Sequence, residues 1–405
     1  MPRKQPYNAR SLALRSLREV AQGAFAAEAI DHALREHPLA EADRGLLTQL
    51  VYGVLRERAF LDQVLSRYVS KAKTPEALLD LLRLGAYQCL SLEKVPDYAA
   101  VHEAVELAKL KHGSGAGRMA NAVLRSLLRE QTEIRAKLFD GRIESYPEWM
   151  LRRWRKRYPP ERLKRMLEYF AAPAPLWARV NPRKAEAAGA AMIELGNRER
   201  SSWWQEMEAG NISIQDPHSY EVAMAVAPKD GEKILDACAG HGGKSSALAE
   251  IAPGMELYVH EPSPERIAQL GENFARLGIH QPTILSGPQA AADQELVFDA
   301  ILVDAPCSGM GTLGRKPEIR WRLKPADLGR LAQKQRVILE GWIPRLGPAG
   351  RLIYAVCSLE PEEGRDNVAT FLAGHPELRL EEERELFPEP GAGDGFYLAR
   401  LARVK

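Results

Sequence analysis

Cys307, in Asp304-Ala305-Pro306-Cys307-Ser308-Gly309, and Cys357, in Tyr354-Ala355-Val356-Cys357-Ser358, each follow an apolar run of strand character. A thiol at a strand end is carried by a rigid element, and two such thiols predict paired sulfur chemistry. Upstream, Ile234-Leu235-Asp236-Ala237-Cys238-Ala239-Gly240-His241-Gly242-Gly243-Lys244-Ser245 reads as a strand that breaks into a glycine turn and restarts as a helix. Nucleotide-like cofactors are held this way, because glycines let the backbone approach and a helix amino terminus offers free N–H groups. A cofactor turn with two strand-end thiols predicts covalent catalysis.

The elements needed to position these groups are legible around them. From Gly231 onward, apolar strand-like runs at residues 233–238, 257–261, 283–286, 299–304, 351–357 and 395–401 alternate with helical stretches. That alternation predicts an α/β domain with an open, mostly parallel sheet covered by helices on both faces. Ligands of such sheets bind beyond the carboxyl ends of the strands. Glu261, ending the second strand, stands where a carboxylate accepts hydrogen bonds from ribose hydroxyls, and Asp304 ends the fourth beside the same crevice. Before this region lies a smaller α+β segment, with Leu176-Trp177-Ala178-Arg179-Val180-Asn181-Pro182 as an extended strand stopped by proline.

From Asn8 to about Glu130 the apolar residues fall at helical spacing, as in Leu14, Leu17, Ala21 and Ala24. This predicts an all-α bundle. Lys111-His112-Gly113-Ser114-Gly115-Ala116-Gly117-Arg118 lacks the lysine and serine of a phosphate cradle and reads as a loop between helices. Residues 147–158 interleave Trp149, Trp154 and Tyr158 with five cations, a mixture that suits phosphates and stacked bases, or an amphipathic helix with its tryptophans inward.

Composition narrows the class without choosing within it. A chain of 405 residues with 45% hydrophobic and 27% charged residues is an ordinary soluble composition of two or three domains. No run approaches the roughly 18 apolar residues of a membrane span, and no apolar stretch follows the basic start, so a cytoplasmic protein without a membrane partner is expected. The four cysteines form no CxxC pair and are expected as free thiols, with no metal site. A net charge of +2 leaves any nucleic-acid partner to be argued locally, and the oligomeric state is left open.

Residues 236–245, 303–321 and 354–363 resemble the motifs of the RsmB-type family of S-adenosylmethionine-dependent RNA cytosine-5 methyltransferases. The match is longest in Val303-Asp304-Ala305-Pro306-Cys307-Ser308-Gly309-Met310-Gly311-Thr312 and in Arg315-Lys316-Pro317-Glu318-Ile319-Arg320-Trp321. In the helical front, Asp43-Arg44-Gly45-Leu46, Leu50-Val51-Tyr52-Gly53-Val54-Leu55-Arg56, Leu84-Gly85-Ala86-Tyr87-Gln88 and Asn121-Ala122-Val123-Leu124-Arg125 are similar to a NusB-type RNA-binding domain. The resemblance thus extends from the front to Asp394-Gly395-Phe396-Tyr397 near the end. It implies a NusB-like bundle over residues 1–135, a connecting α+β subdomain over 145–228 and a Rossmann-like methyltransferase domain over 229–405.

By that resemblance, Cys238, Ala239, Gly240, His241, Gly242, Gly243 and Lys244 wrap the methionine end of S-adenosylmethionine, Glu261 binds its ribose, and Asp304 lies beside cofactor and cytosine. Cys357 matches the nucleophile that adds to carbon 6 of cytosine, and Cys307 the residue that assists release. Arg315, Lys316 and Arg320 are expected on phosphates. The implied substrate is RNA, foremost 16S small-subunit ribosomal RNA. This chain departs from the family pattern at Gly240-His241, where an alanine and a proline are usual. It departs again at Ser286-Gly287-Pro288, where an aspartate near the adenine is usual and the next acid here is Asp293, and at Val356, where threonine is usual. Three other activities remain open at this point: a NusB-like RNA-binding protein with a degenerate methyltransferase domain, a transfer-RNA cytosine-5 methyltransferase, and a small-molecule methyltransferase. The helical front and basic segment argue against the last.

Overall fold

The computed structural model describes residues 7–137, 145–184, 191–196 and 200–404. The chain forms two compact units, one of Met1–Ala172 with Leu313–Arg322 and one of Pro173–Thr312 with Leu323–Lys405.

The first unit is helical: α1 (Ala9–Ala21), α2 (Ala26–Glu36), α3 (Glu41–Leu65), α4 (Glu76–Ser91), α5 (Asp97–Arg129), α6 (Gln131–Ala136), α7 (Glu148–Arg157) and α8 (Pro160–Ala171). Leu12 and Leu17 of α1, Leu50 and Leu61 of α3, Leu82 of α4 and Leu124 of α5 project into one core. The loop expected at residues 111–118 is instead helix on both sides of a single break at Gly113, whose φ of 86° only glycine adopts freely. The other two glycines of the stretch keep the helical path. In α7, Trp154 is buried, edge-on to Tyr146 at 5.4 Å and 6.5 Å from Phe170. It therefore fills the core rather than a base-stacking surface, and the inward-facing alternative holds for that residue.

The second unit begins with β1 (Trp177–Val180) and β2 (Met192–Glu194), then α9 (Arg200–Glu208) and β3 (Ile212–Ile214). These strands make a small antiparallel sheet ordered β2-β1-β3. After α10 (Pro217–Val226) come β4 (Lys233–Asp236), α11 (Gly243–Ile251), β5 (Glu256–Val259), α12 (Pro264–Leu277), β6 (Thr283–Ile284), α13 (Pro288–Asp293) and β7 (Phe298–Asp304). The short α14 (Ile319–Arg322) belongs to the first unit. Returning to the second, α15 (Pro325–Trp342), β8 (Leu346–Val356), α16 (Arg365–Gly374), β9 (Leu378–Leu386) and β10 (Phe396–Arg403) complete it.

The large sheet is ordered β6-β5-β4-β7-β8-β10-β9, with β6 through β8 parallel and β10 antiparallel to both neighbours. Burial on both faces explains its near-continuous apolar strands. Leu235, Ile301, Val303, Leu352 and Tyr354 pack with Leu339 and Trp342 of α15, whereas Ile234, Ala300, Leu302, Ile353 and Ala355 pack with Leu248 of α11 and Phe274 of α12. Residues of alternating parity thus feed two cores. One strand of this sheet escaped the sequence reading. In β9, Leu-Arg-Leu-Glu-Glu-Glu-Arg-Glu-Leu carries too much charge to look like a strand, yet charge is what an exposed sheet edge favours.

Candidate active site

The chain order β4, β5, β6 runs to one side of the sheet, and β7 and β8 run to the other, which makes the gap between the ends of β4 and β7 a topological switch point. The residues of the candidate site in the second unit lie at or beyond the carboxyl ends of β4, β5, β7 and β8.

After β4 the backbone turns through Gly240 (φ 55°) and Gly242 (φ 81°) into α11. A side chain at Gly242 would meet Leu270 at 2.7 Å, so glycine is required both by conformation and by packing. Asp236, buried at the end of β4, accepts from the Cys238 N–H at 3.2 Å and from Ser245 Oγ at 2.6 Å, tying the two ends of the turn together. Burial pushes its carboxyl up to about 6, against the opposing pull of the Ser245 hydrogen bond. Glu261, just beyond β5, accepts from the Gly240 N–H at 3.1 Å and the Ser263 N–H at 2.9 Å. His241 turns outward, its Nδ1 2.6 Å from Gln269 Oε1, and leaves the turn itself to glycine and backbone. Burial raises the Cys238 thiol, and Asp236, Asp304 and Glu261 add to the effect, which makes it an inert member of the turn.

From α11, Lys244 Nζ reaches Asp304 Oδ2 at 2.5 Å and lies 5.3 Å from the Phe396 ring. Burial alone lowers the affinity of Lys244 for its proton, but Asp304 outweighs it and Cys357 adds in the same sense, so the ammonium stays charged.

The two thiols meet because their strands are neighbours. Asp304 at the end of β7 is in register with Ala355 of β8, so Cys307 and Cys357 leave adjacent strand ends. Their sulfurs are 3.2 Å apart. The Gly311 N–H donates to the Cys357 carbonyl at 2.9 Å, stapling the loop after Cys307 to the end of β8. The Cys307 thiol is raised well above the ordinary range, first by its hydrogen bond to Cys357 and then by burial, so Cys307 holds its proton.

These groups can be compared with known proteins. A profile of the 16S rRNA methyltransferase RsmB/F family matches residues 223–402, a NusB family profile matches 7–129, and the ferredoxin-like domain of RsmF/B-like methyltransferases matches 146–193. The probable ribosomal RNA small subunit methyltransferase B of Bacillus subtilis is 32% identical, over 97% of this chain and 98% of its own. The ribosomal RNA small subunit methyltransferase B of Erwinia tasmaniensis is 32% identical, over 99% of this chain and 100% of its own. The chain belongs to the RsmB family of ribosomal RNA small subunit methyltransferases. The crystal structure of PH0851 shares the fold over 99% of this chain and 100% of its own, with a TM-score of 0.79 at 22% identity.

One expectation for an RsmB-family chain is overturned. Arg320 does not face phosphate: it is buried in the first unit, donating to the carbonyls of Arg56, Ser145, Phe170 and Leu313 and stacking over Tyr146 at 4.1 Å. Its fork satisfies main-chain acceptors that would otherwise be stranded. Nearby, Trp321 Nε1 donates to the Leu55 carbonyl at 2.7 Å and Glu318 accepts from the Ala26 N–H at 3.0 Å. The second half of the long 303–321 signature is therefore structural in the first unit.

Two site-supporting residues were missed by sequence reasoning. Arg179 of β1 is buried, pairs with both oxygens of Glu250 at 2.7 and 2.8 Å, and donates to the Gly243 carbonyl and Ser246 Oγ at 3.1 Å. It anchors the first turn of α11 from behind. Glu363 is buried beside the residues that follow both thiols. Nothing in its acidic stretch separates it from a solvated face. Among the described residues no group of His, Cys, Asp and Glu has metal-site geometry, and no helix is long and apolar enough to cross a membrane.

Proposed function

We propose that this chain transfers a methyl group from S-adenosylmethionine to carbon 5 of a cytosine in small-subunit ribosomal RNA, through a transient bond between Cys357 and carbon 6. The observation that carries the reading is the pair of sulfurs 3.2 Å apart beside the Lys244–Asp304 ion pair. The names of the full-length relatives support the RNA substrate.

The turn fits the cofactor. Open space above Gly240 and Gly243, the N–H groups at the start of α11 and the Glu261 carboxylate form a cradle with an anion-attracting end and a hydroxyl-accepting end. When bound, S-adenosylmethionine supplies an electrophilic methyl group. Residues 238–244 hold its methionine end and Glu261 its ribose.

Cys357, as the thiolate after its proton has passed to solvent, forms the bond to carbon 6, and the displaced electron pair gives carbon 5 the nucleophilic character that cytosine lacks. Asp304, fixed by Lys244, hydrogen-bonds the base, and the Lys244 ammonium balances the negative charge that the thiolate brings to the adduct. Release requires loss of the carbon 5 proton and return of its electrons to expel the Cys357 sulfur. Cys307, with its S–H against that sulfur, gives it a proton as it departs, and the Cys307 thiolate so formed accepts the carbon 5 proton.

The direct test is incubation of the purified protein with unmodified small-subunit ribosomal RNA and methyl-labelled S-adenosylmethionine, with unmodified transfer RNA in parallel, followed by digestion to nucleosides. Label in 5-methylcytidine from the ribosomal RNA is the expected result. Label in another nucleoside or only in transfer RNA overturns the reading, as does none at all while a known active enzyme works alongside.

A further inference from the structure

We propose that Glu363 is the positioning residue that sets the separation of the two thiols, a role that rests on the reading of Cys307 and Cys357 as the reacting pair. Its carboxylate takes hold of the residue that follows Cys307: the Ser308 N–H donates to Oε1 at 2.8 Å and Ser308 Oγ to Oε2 at 2.5 Å. It also engages the residue that follows Cys357. Ser358 Oγ is 3.2 Å from Ser308 Oγ, and its hydroxyl favours the ionised form of Glu363. One side chain thus grips both strand-end turns directly after their sulfurs.

The grip is itself anchored. Gln335 Nε2 donates to Glu363 Oε1 at 3.0 Å and to the Pro306 carbonyl at 3.2 Å, so the residue before Cys307 is tied to the same carboxylate. The Tyr354 hydroxyl lies 2.6 Å from the Glu363 carbonyl, and Asn367 Nδ2 donates to Gln335 Oε1 at 3.0 Å. All of these side chains are buried. Burial raises the Glu363 carboxyl, opposed by the hydrogen bonds from Ser308, Ser358 and Gln335. A network of this kind, buried and connected, holds its members to one geometry, because any partner lost leaves a buried polar group unpaired.

Thiol separation can be read without any methyl transfer. Diamide oxidises two adjacent thiols to a disulfide and is itself reduced to the hydrazine, taking both protons and both electrons, and the rate follows how often the sulfurs meet. Wild type, Glu363→Ala and Glu363→Gln would be treated with diamide and the Cys307–Cys357 linked peptide followed by mass spectrometry, with thermal unfolding recorded in parallel. We expect wild type to cross-link, and Glu363→Ala to do so about tenfold more slowly as the effective concentration of one sulfur at the other falls. Glu363→Gln, which keeps an acceptor for the Ser308 N–H, should fall between. In methyl transfer, Glu363→Ala should lower kcat with the KM for S-adenosylmethionine unchanged. A wild-type chain that does not cross-link overturns the proposal, as does a folded Glu363→Ala that cross-links within about twofold of wild type. If the alanine variant does not fold, an unchanged rate in Glu363→Gln decides against it and a slowed rate for it. Failure of methyl transfer in wild type alone would strike the proposed reaction and leave the cross-linking result standing.

Discussion

Lys244 Nζ lies 2.5 Å from Asp304 Oδ2, joining the first turn of α11 to the end of β7 across the switch point of the sheet. The pair spans the boundary between the glycine turn and the thiols, because α11 follows that turn and Asp304 precedes Cys307 by three residues. Lys244 is thus committed to Asp304, and its charge also acts on the Cys357 sulfur.

Removing the lysine should injure both sides. In Lys244→Met, Asp304 loses its partner while partly buried, and we expect about 2 kcal/mol of destabilisation, read from the urea midpoint. Turnover should fall by more than about tenfold, because a charge that stabilises the reacting centre is gone. An unchanged midpoint together with normal turnover would show that the ion pair is dispensable.

The two cysteines should fail differently. Cys357→Ala should abolish turnover yet bind S-adenosylhomocysteine as wild type does, because only the covalent step is removed. Titration calorimetry measures the binding. Cys307→Ala should form the RNA bond and not release it, giving a slow-migrating protein–RNA species on denaturing gels. Normal turnover by the first variant, or no such species from the second, would reassign the roles.

Much of this arrangement was legible because its signals are local. Strand-end cysteines, a glycine turn and alternating apolar runs each declare an element within about ten residues. The supporting residues declare nothing locally. Glu363 sits in Glu360-Pro361-Glu362-Glu363-Gly364, Arg179 in a short strand and Arg320 among other cations, and by residue type all three belong at the surface. What buries them is a partner far away in sequence: Ser308 for Glu363, Glu250 for Arg179, and the carbonyls of Arg56 and Phe170 for Arg320. Edge strand β9 was hidden for the related reason that its charges serve the place it occupies.

Asp236 predicts a pH signature. Its folded carboxyl titrates at about 6, above the unfolded value, so the native state binds the proton more tightly between those limits. This contribution favours folding below the unfolded value and is lost as pH rises through 6. Asp236→Asn removes the titration while keeping an acceptor for the Cys238 N–H. The stability of the asparagine variant relative to wild type should therefore rise by about 2 kcal/mol between pH 4.5 and 7. Urea unfolding at several pH values measures it, and a difference that does not change with pH would remove Asp236 as the source.

Arg179 and Glu250 predict coupling between the small sheet and the cofactor turn. In Arg179→Met, Glu250 is left buried without its cation, and the expected loss is about 3 to 5 kcal/mol. The double variant Arg179→Met/Glu250→Gln removes the stranded charge and should recover most of that stability. Affinity should not recover with it. The guanidinium's bonds to the Gly243 carbonyl and Ser246 Oγ are still missing, so the first turn of α11 is released from behind and S-adenosylhomocysteine should bind about tenfold more weakly to the double variant than to wild type. Calorimetry beside urea unfolding separates the two effects. If affinity recovers in step with stability, Arg179 supports the fold alone; if it stays low in a stable protein, the guanidinium shapes the cofactor turn itself.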